Sequence, residues 1–239
     1  RSTLFPYTTL FRSRTGMRGF QTCIIDPEGD YSELEGATVI GSAEAPPRME
    51  EIFGLLANPA TNVVVNLLGV DVDRRPEFFA KLLPELSSIR VAAGRPHWVL
   101  IDEAHHMFPA TRESVSMTLP KELPSAILVT VHPASVAPAA LELIDTVIGI
   151  GEAAPDVIAE ACKAMGDVCP PLPEGRTDPK QALMWARRPE ATMRRITVEQ
   201  TRQARRRHTR KYAQGKLGED KSFYFRGPED ALNLRAHRF

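Results

Sequence analysis

His97-Trp98-Val99-Leu100-Ile101-Asp102-Glu103-Ala104-His105-His106 is an apolar run that stops at two adjacent acids. A strand buried on both faces of a parallel sheet reads as such an unbroken apolar run. In an open α/β sheet, ligands bind just beyond the carboxyl ends of the strands. This reading places Asp102 and Glu103 where a nucleotide and its metal would be, Asp102 toward Mg²⁺ and Glu103 toward an attacking water. The plainer alternative is an acidic turn that caps the next helix. The flanking segments bear on the choice.

Upstream, Thr22-Cys23-Ile24-Ile25 is β-prone and is ended by Asp26-Pro27-Glu28-Gly29-Asp30. Val39-Ile40 and residues 62–67 read as further strands, as do 126–131 and 146–150. Between them, Met49, Ile52, Phe53, Leu55 and Leu56 recur at helical spacing. Pro76 opens a longer helix carrying Phe78, Phe79, Leu82, Leu83, Leu86 and Ile89, with Pro84 inside it and Gly94 closing it. Short helices are predicted to end near Ile144 and to run over 155–165. Strands alternating with helices argue for βαβ units and a parallel sheet. Residues 181–185 predict one more strand, antiparallel at the sheet edge, and 198–214 a very basic helix.

The 239 residues carry zero formal net charge. That balance conceals an asymmetry: residues 14–186 hold 24 acids against 13 bases, and 187–239 hold 15 bases against 6 acids. An acidic body with a basic tail points to an anionic partner. Arg202, Arg205, Arg206, Arg207, Arg210 and Lys211 are the candidate contacts to nucleic acid; a solvated helix is the alternative. No apolar run approaches the ~18 residues of a membrane span. Cys23, Cys162 and Cys169 are unpatterned, and free thiols in a cytoplasmic protein are expected.

Arg1 to Ser13 reads like a translated sequencing adapter, which puts the first native residue at Arg14. The tail stops in mid-pattern at Phe239, so a fragment of a longer protein is expected.

In this order the pieces resemble P-loop ATPases of the HerA/FtsK type. Residues 20–31 look like the strand that follows the phosphate-loop helix there and ends in a similar Asp-Pro-Lys/Glu-Gly turn. Val99 to Ala104 matches the Walker B strand. Leu128-Val129-Thr130-Val131-His132-Pro133 matches the next strand, with Val131 where the family carries a sensor Gln. The resemblance covers about residues 14–165. The tail, through Ser222-Phe223-Tyr224-Phe225-Arg226-Gly227-Pro228, looks like the end of a bacterial subgroup whose ATPase follows a HAD-type phosphatase domain.

The resemblance implies a RecA-like α/β core over 14–186, a basic segment over 187–239, ATP and Mg²⁺ as cofactors, and a parent protein that assembles as a homo-oligomer. It makes Asp102 the metal ligand, Glu103 the catalytic residue, and Asp26, Glu28, His132 and Arg226 nucleotide-side candidates. One departure is large. No G-x-x-x-x-G-K-[ST] occurs in the chain, and that loop supplies the backbone N–H groups and the Lys that hold phosphates. This chain alone is therefore expected to be inactive or nearly so. The rival readings are a non-catalytic nucleic-acid or protein binding module and a HAD-type hydrolase. The last would use Asp71 and Asp73, a D-x-D pair placed past its strand rather than at the strand's end. His105 and His106 are adjacent, so they do not share a helix face and are expected to pack rather than bind a metal together.

Overall fold

The computed structural model describes residues 19–111, 119, 123, 125–173, 178, 181–188 and 190–197, and the backbone of 223–226 and 233–236. Two compact units divide the chain, Arg1–Arg202 and Gln203–Phe239.

In the first unit the elements run β1 (Thr22–Asp26), β2 (Ala37–Ile40), α1 (Met49–Leu56), β3 (Asn62–Asn66), α2 (Arg75–Ala93), β4 (Trp98–Ile101), α3 (Ala104–Met107) and β5 (Ala126–Leu128). They continue through α4 (Pro138–Leu141), β6 (Thr146–Ile150), α5 (Ala154–Met165), β7 (Gln181–Ala186) and β8 (Thr192–Thr197). The first five strands form one parallel sheet in the order β2-β3-β1-β4-β5.

Alternation within the apolar runs explains why both faces of this sheet are dry. Cys23 and Ile25 point into a core shared with Val63, Val65, Val99 and Ile101, over which α1 and α2 pack Ile52, Leu56, Phe79, Leu82 and Leu86. Ile24, Val64 and Leu100 point the other way, onto Tyr31 and Val129. Burying each such aliphatic or aromatic side chain contributes roughly 1.5–3 kcal/mol relative to leaving it exposed. Helix α2 accommodates Pro84 and ends at Gly94, whose φ of 65° is the left-handed cap a glycine adopts without strain.

Strand β5 differs from its neighbours. Its three residues are only half-buried, and its outer edge has no strand partner among the described residues. It is also shorter than the predicted 126–131. Val129 still bonds the end of β4, its carbonyl accepting the Ala104 N–H at 2.8 Å, and the chain then turns at Thr130, whose Oγ1 accepts the His132 N–H at 3.0 Å.

Two expectations are corrected. Residues 181–186 are antiparallel, but they do not edge the parallel sheet. β7 is the centre of a separate sheet, β6-β7-β8, with α5 packed on it through Ala154, Ile158, Cys162, Leu183 and Trp185. β8 has no counterpart in the sequence reading, and the change of charge near residue 187 falls inside this sheet. Cys162 and Cys169 are not free: they form a disulfide, with Cα atoms 5.5 Å apart. Gly166 at φ 69° ends α5 and folds the chain back, bringing the two thiols together. Cys23 stays a free, fully buried thiol, which burial pushes up to about 12.

No helix among the described residues is long and apolar enough to cross a membrane. In the second unit β9 (Phe223–Arg226) and β10 (Asn233–Ala236) pair antiparallel. The predicted basic helix over 198–214, with Arg202, Arg205, Arg206, Arg207, Arg210 and Lys211, lies outside the described residues.

Candidate active site

Parallel register brings the ends of three strands to one level. Asp26 pairs with Asn66 of β3, and Ile25 with Ile101 of β4, so Asp102 follows directly beside Asp26. Asp26 is fully buried. Its Oδ1 accepts the N–H groups of Gly29 and Asp30 at 2.8 and 3.1 Å, and its Oδ2 that of Tyr31 at 3.0 Å. The side chain thus winds the 27–31 turn and presents Glu28, Asp30 and Tyr31 at the sheet's carboxyl edge. Burial raises its carboxyl to about 6, against the pull of those N–H groups and with repulsion from Asp30 and Asp102.

Asp102 is also buried. Its Oδ1 accepts the Glu103 N–H at 2.9 Å, and Tyr31 hydrogen-bonds its carboxylate. Burial lifts it to about 6, these hydrogen bonds oppose the shift, and Asp30 and Glu28 add to it.

Glu103 has φ 41° and ψ 53°, a left-handed conformation that costs a non-glycine residue roughly 1–2 kcal/mol. Such strain persists only where the surroundings over-determine it. Here the Asp102 carboxylate holds the Glu103 N–H, and the Glu103 carbonyl accepts the His106 N–H at 2.7 Å. The carboxylate is left with Oε2 buried and without a hydrogen bond. Burial first, then Asp102, Glu28 and Asp30, raise Glu103 to about 7.

Cations and imidazoles ring these acids loosely. Arg75 Nη1 and His106 Nε2 each approach Glu28 Oε1 at 3.9 Å. His105 Nδ1 lies 3.1 Å from Thr130 Oγ1 and 3.4 Å from Glu103 Oε2. Its ring meets those of His106 and His132 at 4.3 and 5.5 Å between centroids. Desolvation, then His106 and His132, lower His105 to about 4. His106 is lowered by burial and by Arg75.

The structure therefore gathers Asp26, Glu28, Asp102, Glu103 and His132 at one edge. Arg226 lies on β9 in the other unit, and its side chain is outside the described residues. Asp71 and Asp73 are exposed in a turn beyond β3, where the D-x-D reading would need the first of them at the strand's end. Sequence reasoning missed Tyr31, Arg75 and Thr130 as site residues. Thr130 stood in plain view one residue before the expected sensor position.

Mutual repulsion among Glu28, Asp30, Asp102 and Glu103, with an unbonded buried oxygen, is the chemistry a divalent cation relieves. Among the described residues no group of three or more His, Cys, Asp or Glu could hold a metal by itself. Mg²⁺ bound to a nucleotide needs only one or two carboxylates, the rest of its shell being water and phosphate, so Asp102 fits that role.

Neither the protein-family models nor the curated proteins contain a match to this chain. Solved structures do match. The genome packaging NTPase B204 from Sulfolobus turreted icosahedral virus 2, in complex with ATP-gammaS, aligns with a TM-score of 0.54 at 15% identity over 80% of this chain and 88% of that one. The same NTPase with AMPPCP gives 0.52 at 16% identity over 79% and 88%. The chain thus has the α/β fold of P-loop NTPases, a parallel sheet flanked by helices.

Proposed function

We propose that this chain carries the metal- and water-handling half of an ATP-hydrolysing site of the HerA/FtsK type. The observation that carries the proposal is Glu103: strained, buried, with one carboxylate oxygen unbonded, next to Asp102 at the end of a parallel strand in an NTPase fold. Mg²⁺ supplies charge neutralisation at the phosphates when bound with ATP. Asp102 holds it, and Tyr31 fixes the Asp102 carboxylate. Glu103 orients the water, because phosphoryl transfer depends mostly on positioning and electrostatics. Asp26 acts indirectly by shaping the turn that presents Glu28, and His132 faces the same edge. Arg226 remains a candidate for a charge offered to the phosphates.

The phosphate-binding loop that the sequence lacks would come from a further strand. The edge of β5 that has no strand partner among the described residues, beside the proposed Walker B strand, is where such a strand would pair and bring its loop to Asp102 and Glu103. The core expected over 14–186 then extends through β8 to Thr197, the basic segment follows it, and a HAD-type domain would precede both in a cytoplasmic, homo-oligomeric parent. The matched packaging NTPase supports an ATP ligand, being solved with ATP analogues.

The test is Mg²⁺-dependent ATP hydrolysis by this chain joined to the phosphate-binding loop it lacks. Glu103→Gln should lower the rate by on the order of 10²-fold or more while ATP still binds. Asp102→Asn should shift the Mg²⁺ requirement. Hydrolysis at the parental rate in Glu103→Gln would reduce the feature to an acidic turn.

The basic tail is proposed to bind nucleic acid through Arg202, Arg205, Arg206, Arg207, Arg210 and Lys211. Four or five phosphate contacts give a log–log salt slope of roughly −4 on B-DNA. Affinity that ignores salt, or no binding at low salt, would favour a solvated tail.

A further inference from the structure

His105 stands between two groups that its one nearby ring nitrogen cannot serve together. Nδ1 is 3.1 Å from Thr130 Oγ1 and 3.4 Å from Glu103 Oε2. A neutral imidazole carries one N–H, so each ring nitrogen either donates or accepts. If Nδ1 carries the lone pair, it accepts the Thr130 hydroxyl proton and offers nothing to a carboxylate. If Nδ1 carries the proton, it can donate to Glu103. The geometry favours the first state. Thr130 is the nearer partner, its Oγ1 already accepts the His132 N–H at 3.0 Å so its own proton is free to point at the ring, and Glu103 Oε2 is left without a hydrogen bond.

We propose that His105 is a positioning residue that couples the Thr130–His132 loop to Glu103 through this single Nδ1. While Thr130 donates to His105, Glu103 is unheld. When Thr130 is drawn to another acceptor beyond β5, such as a phosphate oxygen, the ring proton moves to Nδ1 and Nδ1–H holds the Glu103 carboxylate in place. The ring is buried enough that it stays neutral over the working pH range, so the change is one of tautomer and partner. The His106 and His132 rings packed on either side limit its movement. The functional consequence rests on the hydrolytic reading above; the coupling itself does not.

The experiment reads the coupling directly in this chain. Side-chain ¹⁵N spectra at pH 8 report which nitrogen of His105 is protonated. The parent and Thr130→Ser, which keeps the hydroxyl, should show the proton on Nε2. Thr130→Val, which keeps the shape and removes the hydroxyl, should show it on Nδ1. The same tautomer in all three chains overturns the proposal. As an arm independent of whether Thr130→Val folds, His105→Asn retains a polar atom near Nδ1 and His105→Gln does not. In the chain joined to a phosphate-binding loop, His105→Gln should lose about 10- to 100-fold in kcat with KM held, and His105→Asn should recover most of it. Equal loss in both overturns the proposal. A tautomer change in a joined chain that hydrolyses no ATP would sink the hydrolytic reading and leave the coupling standing.

Discussion

The antiparallel sheet and the parallel sheet both bury charge, and they satisfy it to different degrees. Arg187, at the end of β7, has its side chain 8% exposed. It donates to Asp167 Oδ2 at 2.6 Å and to the carbonyls of Leu141, at 3.0 Å, and Ile144, and it lies 5.8 Å from the Trp185 ring. One cation thus ties the end of α4, the segment after α5 and β7 together. At the carboxyl edge of β1 and β4, Asp102 and Glu103 are buried too, yet they repel each other and the half-buried Glu28, and Glu103 keeps an unbonded oxygen. A buried ion whose hydrogen bonds are filled serves the fold. Buried ions of one sign, held by a strained residue, cost stability, and proteins keep such costs where a ligand removes them.

That contrast predicts opposite responses to removing charge. Arg187→Met should lose about 3 kcal/mol, because two carbonyls lose their donor and Asp167 its ionic partner. Urea unfolding would show it, and a loss under half that size would mean the node is decorative. Glu103→Gln should do the reverse and gain about 1 kcal/mol at pH 8. A destabilised Glu103→Gln would break the comparison from the other side. Arg188 and Asp145, 3.4 Å apart but both mostly exposed, form the control. Asp145→Asn should change stability by no more than a few tenths of a kcal/mol.

How far the sequence carries this account follows from the range of each interaction. The runs of β1, β3 and β4 were legible because burial on both faces leaves only apolar residues, and the acids that end β1 and β4 were legible as the point where the run stops. β8 was not: Arg194 and Arg195 sit in a half-buried strand defined only by pairing with β7. The disulfide was hidden because it depends on the turn at Gly166 and not on the spacing of the cysteines. Thr130 and His105 are 25 positions apart and meet because β4 and β5 are neighbours. No local period reports that. The left-handed turn at Glu103 belongs to the same class, since it is fixed by Asp102, Val129 and His106 acting together.

If the acids at this edge are kept for a ligand and against stability, they must cost the fold free energy where they are ionised. Asp102 tests it most directly. Its carboxyl is raised from the ordinary 3.8 to about 6, so the folded chain holds that proton more tightly than the unfolded one. The contribution is fully present below about pH 4 and is lost as pH rises through about 6. His105, lowered to about 4, works in the opposite sense, losing its contribution as pH falls through that range. It cancels when two variants are compared at each pH. Asparagine keeps a carbonyl oxygen to accept the Glu103 N–H, offers its amide N–H to the Tyr31 hydroxyl, and cannot ionise. Unfolding free energies of the parent and Asp102→Asn should therefore diverge with pH, the variant being about 2 kcal/mol more stable at pH 8 and equal to the parent near pH 4. An Asp102→Asn chain less stable than the parent at pH 8 would show instead that the acid holds the turn together, and the claim would be wrong.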